Sequence, residues 1–164
     1  MEQIPDPQPA SRSLKGRVAI VTGAGSRADG IGNGRAAAIL LARDGARVAL
    51  IDSVREWAEV THRMIVEEGG EAEVIACDVS RDEDCRSAVA RAVELWGRVD
   101  ILVNNVGIGG PQGTAEDVDL EAWDQALRIN VTSMMLMARH AIPHMRAQGK
   151  GAIVNVASVA GLIG

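Results

Sequence analysis

A run of glycines follows a short β-branched stretch and precedes an amphipathic one. It reads Thr22-Gly23-Ala24-Gly25-Ser26-Arg27-Ala28-Asp29-Gly30-Ile31-Gly32. Glycine accepts positive φ in a tight turn and lets backbone N–H groups come close to an anion. With a helix starting behind it, such a loop suits a diphosphate, because the first N–H groups of a helix are unpaired and carry its positive end. Further on, Asp52 closes the next apolar stretch. A carboxylate there accepts hydrogen bonds from the two hydroxyls of an adenosine ribose and repels a phosphate esterified to one of them. The pair points to NAD rather than NADP. Arg27 and Arg55 are the counterweight: either guanidinium could neutralise a 2′-phosphate, and Arg27 is equally suited to the diphosphate or to solvent. His140 and His144 lie one helical turn apart. No third ligand stands near them and Pro143 separates them, so a solvated or packed pair is expected. Cys77 and Cys85 form no Cys-x-x-Cys pair and read as reduced thiols, one ending a strand and one on a helix.

These residues need a scaffold, and the text between them supplies one. Strands are predicted at Val18–Thr22, Arg47–Ile51, Glu73–Ala76, Asp100–Asn104 and Ala152–Val156. Each is short, apolar and rich in Val or Ile, as in strands covered on both faces. Helices are predicted at Gly32–Arg43, ending at Asp44-Gly45; at Val54–Glu68, with Ser53 and Glu56 as a capping box; and at Arg81–Trp96, with Ser80 and Glu83 as another. A long helical stretch, Leu120–Gln148, is expected to kink or break near Ile142 because Pro143 lies inside it. Strict β-α alternation with short loops predicts a doubly wound α/β sheet of parallel strands joined by right-handed crossovers. The proline-bearing segment Met1–Ser13 reads as a flexible tail, and residues 14–164 as one Rossmann-type domain.

In order and spacing, the glycine loop, Asp52, Cys77-Asp78-Val79, Asn104-Asn105-Val106-Gly107, Asn130 and Ile153-Val154-Asn155-Val156-Ala157-Ser158-Val159-Ala160-Gly161 resemble the short-chain dehydrogenase/reductase family. The resemblance runs from about Leu14 to the end. It implies a strand order of 3-2-1-4-5 and an NAD(P)-dependent oxidoreductase moving hydride between a nicotinamide cofactor and an alcohol or ketone. It implies a cofactor loop comprising Gly23, Ser26, Arg27, Gly30, Ile31 and Gly32, with Gly23, Gly30 and Gly32 as the family's three glycines. Asp78 would meet the adenine amino group, with Val79 beside it. Asn105 and Gly107 would line the nicotinamide-side ribose. Asn130 would hold a water in a proton relay, and Ser158 would hydrogen-bond the substrate carbonyl. Two departures stand out: Arg27-Ala28-Asp29 reads as an insertion in the loop, and Val106 replaces a frequent Ala. A methyltransferase on a similar sheet would account for the glycine loop and Asp52, but not for Asn104–Gly107 or Asn155–Gly161.

The family's proton donor is a Tyr about a dozen residues beyond the Ser, with a Lys four further on. The chain has 164 residues and no Tyr or Phe. The expectation is therefore a chain truncated before the last strands, which binds cofactor but is inactive or nearly so. It would leave Ala152–Val156 as an exposed edge strand and the Met134–Met137 helix with an uncovered apolar face. The complete enzyme would be a homo-oligomer, dimer or tetramer. A non-catalytic dinucleotide-binding or assembly module is the alternative. The net charge of −5 argues against nucleic acid and anionic membrane as partners. No apolar stretch reaches the ~18 residues of a membrane span, and no signal-peptide pattern opens the chain. Together these features suggest a cytoplasmic protein.

Overall fold

The computed structural model describes residues 13–27 and 30–158. The tail up to residue 12, the loop residues Ala28 and Asp29, and Val159-Ala160-Gly161 with the last three residues lie outside the described residues.

Five strands and the helices between them alternate along the chain. They are β1 (Val18–Thr22), α1 (Asn33–Arg43), β2 (Arg47–Asp52), α2 (Arg55–Glu67), β3 (Glu71–Ala76), α3 (Asp82–Trp96), β4 (Ile101–Asn104), α4 (Leu120–Leu127), a π-helical segment (Arg128–Thr132), α5 (Ser133–Ala147) and β5 (Ala152–Asn155). All strand pairs are parallel, and the sheet order is β3-β2-β1-β4-β5. Successive side chains on a strand point to opposite faces, and each strand splits its apolar residues accordingly. Ala19, Val21, Val48 and Leu50 join Ala38, Ile39 and Ile65 under α1 and α2. Ile20, Ala49, Ile51 and Leu102 join Val89, Leu136, Met137 and Met145 under α3 and α5. The result is a Rossmann-type doubly wound sheet with two apolar layers.

One carboxylate ties down the edge of the sheet opposite the strand tips. Asp100, just before β4, accepts from the Val18 amide (3.0 Å), from Arg17 (2.9 Å) and from Arg98 (2.6 and 2.7 Å). Burial pushes its carboxyl up, yet the bonds from Arg98, Val18 and Arg17 outweigh that and hold it at about 2.

Three local expectations fail for identifiable reasons. The capping boxes do not form: neither α2 nor α3 has a side-chain cap at its first residue. The helices start later, with Val54 and Arg81 at the cap positions, and the preceding carboxylates order the turns that lead in, Asp52 accepting from the Val54 amide and Asp78 from the Ser80 amide, both at 3.0 Å. Pro143 does not break its helix, since α5 runs through it. Proline removes a hydrogen bond to the carbonyl four residues back, and here both Pro143 and Arg139 face solvent, where water can satisfy that carbonyl. The interruption falls earlier, at the wider turns of the π segment around Asn130. Finally, β3 begins two residues before its predicted start, at Glu71.

Candidate functional site

The C-terminal ends of β1, β2, β3 and β4 open onto a cleft of about 570 Å³. It lies where β1 is flanked by β2 on one side and β4 on the other, the point at which an open parallel sheet reverses its winding and binds its ligands. Of the residues singled out from the sequence, Gly23, Ser26, Arg27, Asp52, Asp78, Val79, Asn105 and Gly107 line this cleft. Gly30, Ile31, Gly32, Asn130 and Ser158 are not part of its lining.

The floor is stitched by β1 and β4. Thr22 ends β1 and its Oγ1 accepts from the Asn105 amide at 3.0 Å. The Asn105 side chain donates back to the carbonyls of Thr22 and Gly23, both at 3.1 Å. Gly23 turns the chain at φ 61°, a conformation that favours a residue without Cβ. The next two amides are already committed, Ala24 to the Ile51 carbonyl (3.1 Å) and Gly25 to Asp52 Oδ2 (2.9 Å). A Cβ on Gly25 would lie 2.5 Å from Trp57 Cβ and 2.8 Å from Asp52 Oδ2. Glycine is what lets the loop lie against the carboxylate.

Asp52 occupies the tip of β2, only 8 % exposed. Its two oxygens accept from the Gly25 and Val54 amides, and it takes part in no ion pair among the described residues. Across the cleft, Asp78 Oδ1 accepts from the amide (3.0 Å) and hydroxyl (2.7 Å) of Ser80. Arg27 rests over the Trp57 ring at 5.8 Å. At the β4 end, the Asn130 side chain clamps Ile108, accepting from its amide at 2.8 Å and donating to its carbonyl at 3.0 Å. Ser158 lies three residues beyond β5 and is exposed.

Several residues of the site were missed in the sequence: Gly25 and Trp57 line the cleft, and Gly34 packs behind it. Gly34, buried in the first turn of α1, sits so close to the Gly23 carbonyl and the Asn105 amide that a Cβ would clash with both. It is the glycine that permits close helix–strand packing. Gly32 is the N-cap of α1, and Gly30 (φ 118°) has open space where its Cβ would be. The signal was present: glycines alternate at 30, 32 and 34, and the helix begins at Asn33.

Of the two remaining pairs, the histidines lie outside the cleft, while Cys77 is part of its lining. His140 Nε2 meets Asp82 Oδ1 at 2.8 Å, tying α5 to α3, while among the described residues no group of three His, Cys, Asp or Glu is placed to hold a metal. Cys77 and Cys85 are buried free thiols. Hydrogen bonding with Cys85 and burial push the Cys77 thiol up. No helix among the described residues is long and apolar enough to cross a membrane.

Known proteins share this fold. The family model for short chain dehydrogenases matches residues 17–164. An oxidoreductase of Thermotoga maritima is 42 % identical over 152 residues, which is 93 % of this chain and 57 % of the relative. A cyclohexanol dehydrogenase of an Acinetobacter species is 36 % identical over 94 % of this chain and 59 % of its own length. Among solved structures, a short-chain dehydrogenase/reductase of Burkholderia xenovorans superposes with a TM-score of 0.88 at 42 % identity, covering 93 % of this chain and 60 % of that one. A 7α-hydroxysteroid dehydrogenase solved with NADH and 7-oxo glycochenodeoxycholic acid gives a TM-score of 0.86 at 32 % identity, covering 94 % of this chain and 58 % of its own. The chain spans under three-fifths of the length of these curated relatives. On the family model and these relatives, the chain belongs to the short-chain dehydrogenase family.

Proposed function

We propose that this chain is the NAD(H)-binding part of an oxidoreductase that interconverts alcohols and ketones, with NAD(H) preferred over NADP(H). The observation that carries the reading is Asp52. Its carboxylate is fixed at the β2 tip by two backbone amides and has no cation paired to it among the described residues. Each oxygen keeps a lone pair for a ribose hydroxyl. An unneutralised carboxylate in a partly buried cleft repels a 2′-phosphate strongly, because the local dielectric is low. Arg27 is the residue that opposes this, and its guanidinium lies over Trp57.

The residues present fit the cofactor. The cleft is floored by backbone, narrowed by Gly25 and bounded at its adenosine end by Asp52 and Asp78. Helix α1 has no carboxylate in its first turn and no side-chain cap, so its positive end is open to an anion. When bound, NAD(H) supplies or accepts the hydride. The protein's part is binding and orientation. Asp78 accepts from the adenine amino group and Val79 packs beside the ring. Asn105 and Gly107 line the nicotinamide-side ribose. Ser158 orients the carbonyl oxygen, and Asn130 stands as the relay residue while its amide fixes the Ile108 loop. A developing alkoxide needs a positioned proton donor, and these 164 residues contain no tyrosine. On this reading the chain by itself holds cofactor without turnover. The cyclohexanol dehydrogenase among its relatives supports a secondary alcohol and its ketone as the substrate class.

Calorimetric titration of wild type and Asp52→Ala with NADH and NADPH tests the reading. The variant is expected to bind NADH about tenfold more weakly and to lose its discrimination against NADPH. An unchanged ratio of the two affinities would remove Asp52 from the ribose site.

A further inference from the structure

Arg35 lies in the first turn of α1 and is only 3 % exposed. Its Nε donates to Thr61 Oγ1 at 3.0 Å, one terminal nitrogen to the Gly30 carbonyl, and the other to the Trp57 carbonyl at 3.4 Å. Thr61 is fully buried and donates its own proton to the Ala24 carbonyl at 2.7 Å. Every acceptor in this set is neutral, and Arg35 enters no ion pair among the described residues. A guanidinium withdrawn from water without a carboxylate is unfavourable. A cation in the first turn of a helix also opposes the helix dipole. The other helices with a first turn preceding them in a loop show the usual arrangement: α2 carries Glu56 there, α3 carries Asp82, Glu83 and Asp84, and α4 carries Glu121. Only α1 of these four combines an acid-free first turn with a buried cation.

The bonds of Arg35 also have a common geometric effect. Through Gly30 it holds the far end of the glycine loop, and through Thr61 it reaches Ala24 at the near end. Through the Trp57 carbonyl it anchors both to the start of α2. Trp57 and Gly25, next to these contacts, line the cleft.

We propose that Arg35 is a positioning residue for the cofactor's diphosphate, resting on the reading of the cleft as an NAD(H) site. From behind the loop it fixes both loop ends on α2. It also adds a positive charge that no ion pair among the described residues compensates and that a diphosphate would. The residue acts through the loop and through its field, not by contact with the reacting atoms.

The test is titration of the 164-residue chain with NADH, ADP and adenosine at low and high ionic strength, for wild type, Arg35→Met, Arg35→Gln and Arg35→Lys. Arg35→Met is expected to weaken ADP binding roughly tenfold, to leave adenosine within about twofold, and to flatten the salt dependence of ADP affinity. Arg35→Lys keeps the charge and is expected to recover part of the loss. A merely structural role would weaken ADP and adenosine alike and make Lys no better than Met, and that result overturns the proposal. Should Arg35→Met fail to fold, Lys against Gln decides: tighter ADP for Lys at equal adenosine affinity supports it, and equal ADP affinity overturns it. Absence of NADH and ADP binding to wild type overturns the cleft reading itself. Wild-type binding with an unchanged Arg35→Met overturns only the role of Arg35.

Discussion

β1 and β5 are built from nearly the same residues, Val-Ala-Ile-Val-Thr and Ala-Ile-Val-Asn, yet β1 is buried at every position and β5 is exposed at every position. Composition does not separate them; place in the sheet does. β1 has β2 and β4 as neighbours, with α1 and α2 over one face and α3 and α5 over the other. β5 has one neighbour and forms the sheet edge. The two ends of the cleft inherit the difference. At the β1 end, Thr22 and Asn105 hold each other through hydrogen bonds, and Gly25 and Asp52 form a second bonded pair. At the β5 end, Gly107 to Gly110 and Ser158 face solvent. The helical stretch over that side carries exposed Trp123, Leu127, Val131 and Met135, each four residues from the next on one helical face. The proposed ribose contact of Asp52 falls on the first of these two ends.

The largest predicted effect belongs to the β1 end. Gly34→Ala would place a Cβ onto the Gly23 carbonyl and the Asn105 amide, which are backbone and a locked side chain. We expect a loss of about 3 kcal/mol or more, read as a large fall in melting temperature by circular dichroism, despite alanine's better helix propensity. Its counterpart near β5, Gly151→Ala, meets only the Met145 side chain at 2.5 Å. Methionine can move, so a cost near 1 kcal/mol is expected. Equal costs at the two sites would break the comparison.

Acid comes next. Asp100 locks the start of β4 onto β1, and its carboxyl is held at about 2, below its unfolded value near 4. A depressed carboxyl contributes stability that is fully present above the unfolded pKa and is lost as pH falls through the folded one. The Asp100 contribution, up to about 2 kcal/mol, should be intact above about pH 4 and gone below about pH 2. Urea unfolding across that range, with Asp100→Asn as the control, measures it. An equal slope with pH in the variant would assign the loss to other carboxylates.

The smallest effect on stability belongs to the edge. Val154 is 50 % exposed on β5, and Val154→Lys should change unfolding free energy by less than about 0.5 kcal/mol. A lysine on an open edge opposes strand pairing between chains. Sedimentation velocity should therefore show less self-association for the variant. A stability loss like that of a core substitution would mean that β5 is better covered than its exposure indicates.

The parallel α/β alternation was legible because each short Val/Ile run is followed by a glycine-stopped amphipathic stretch, which leaves few topologies; the sheet order itself came from the family resemblance. Asp52 was legible because a charged residue that ends an apolar run marks a strand tip. What escaped depended on neighbours distant in sequence. The Ser53 and Ser80 boxes had the right letters, but the helices begin one residue later, with Val54 and Arg81 at the cap positions. Pro143 had the right chemistry for a break, but its partner carbonyl faces water. Gly34 was passed over because its partners, Gly23 and Asn105, meet only in the folded sheet. Arg35 was not singled out, because nothing nearby in sequence marks Thr61 as its acceptor.

The central claim is that the β1–β2 end of the cleft is made for an unphosphorylated adenosine ribose and a diphosphate. Isothermal calorimetry of the folded wild-type chain with NADH and NADPH tests it most directly. The account predicts saturable heat with NADH and affinity for NADPH at least about tenfold weaker. No heat with either cofactor, or tighter binding of NADPH, would contradict it.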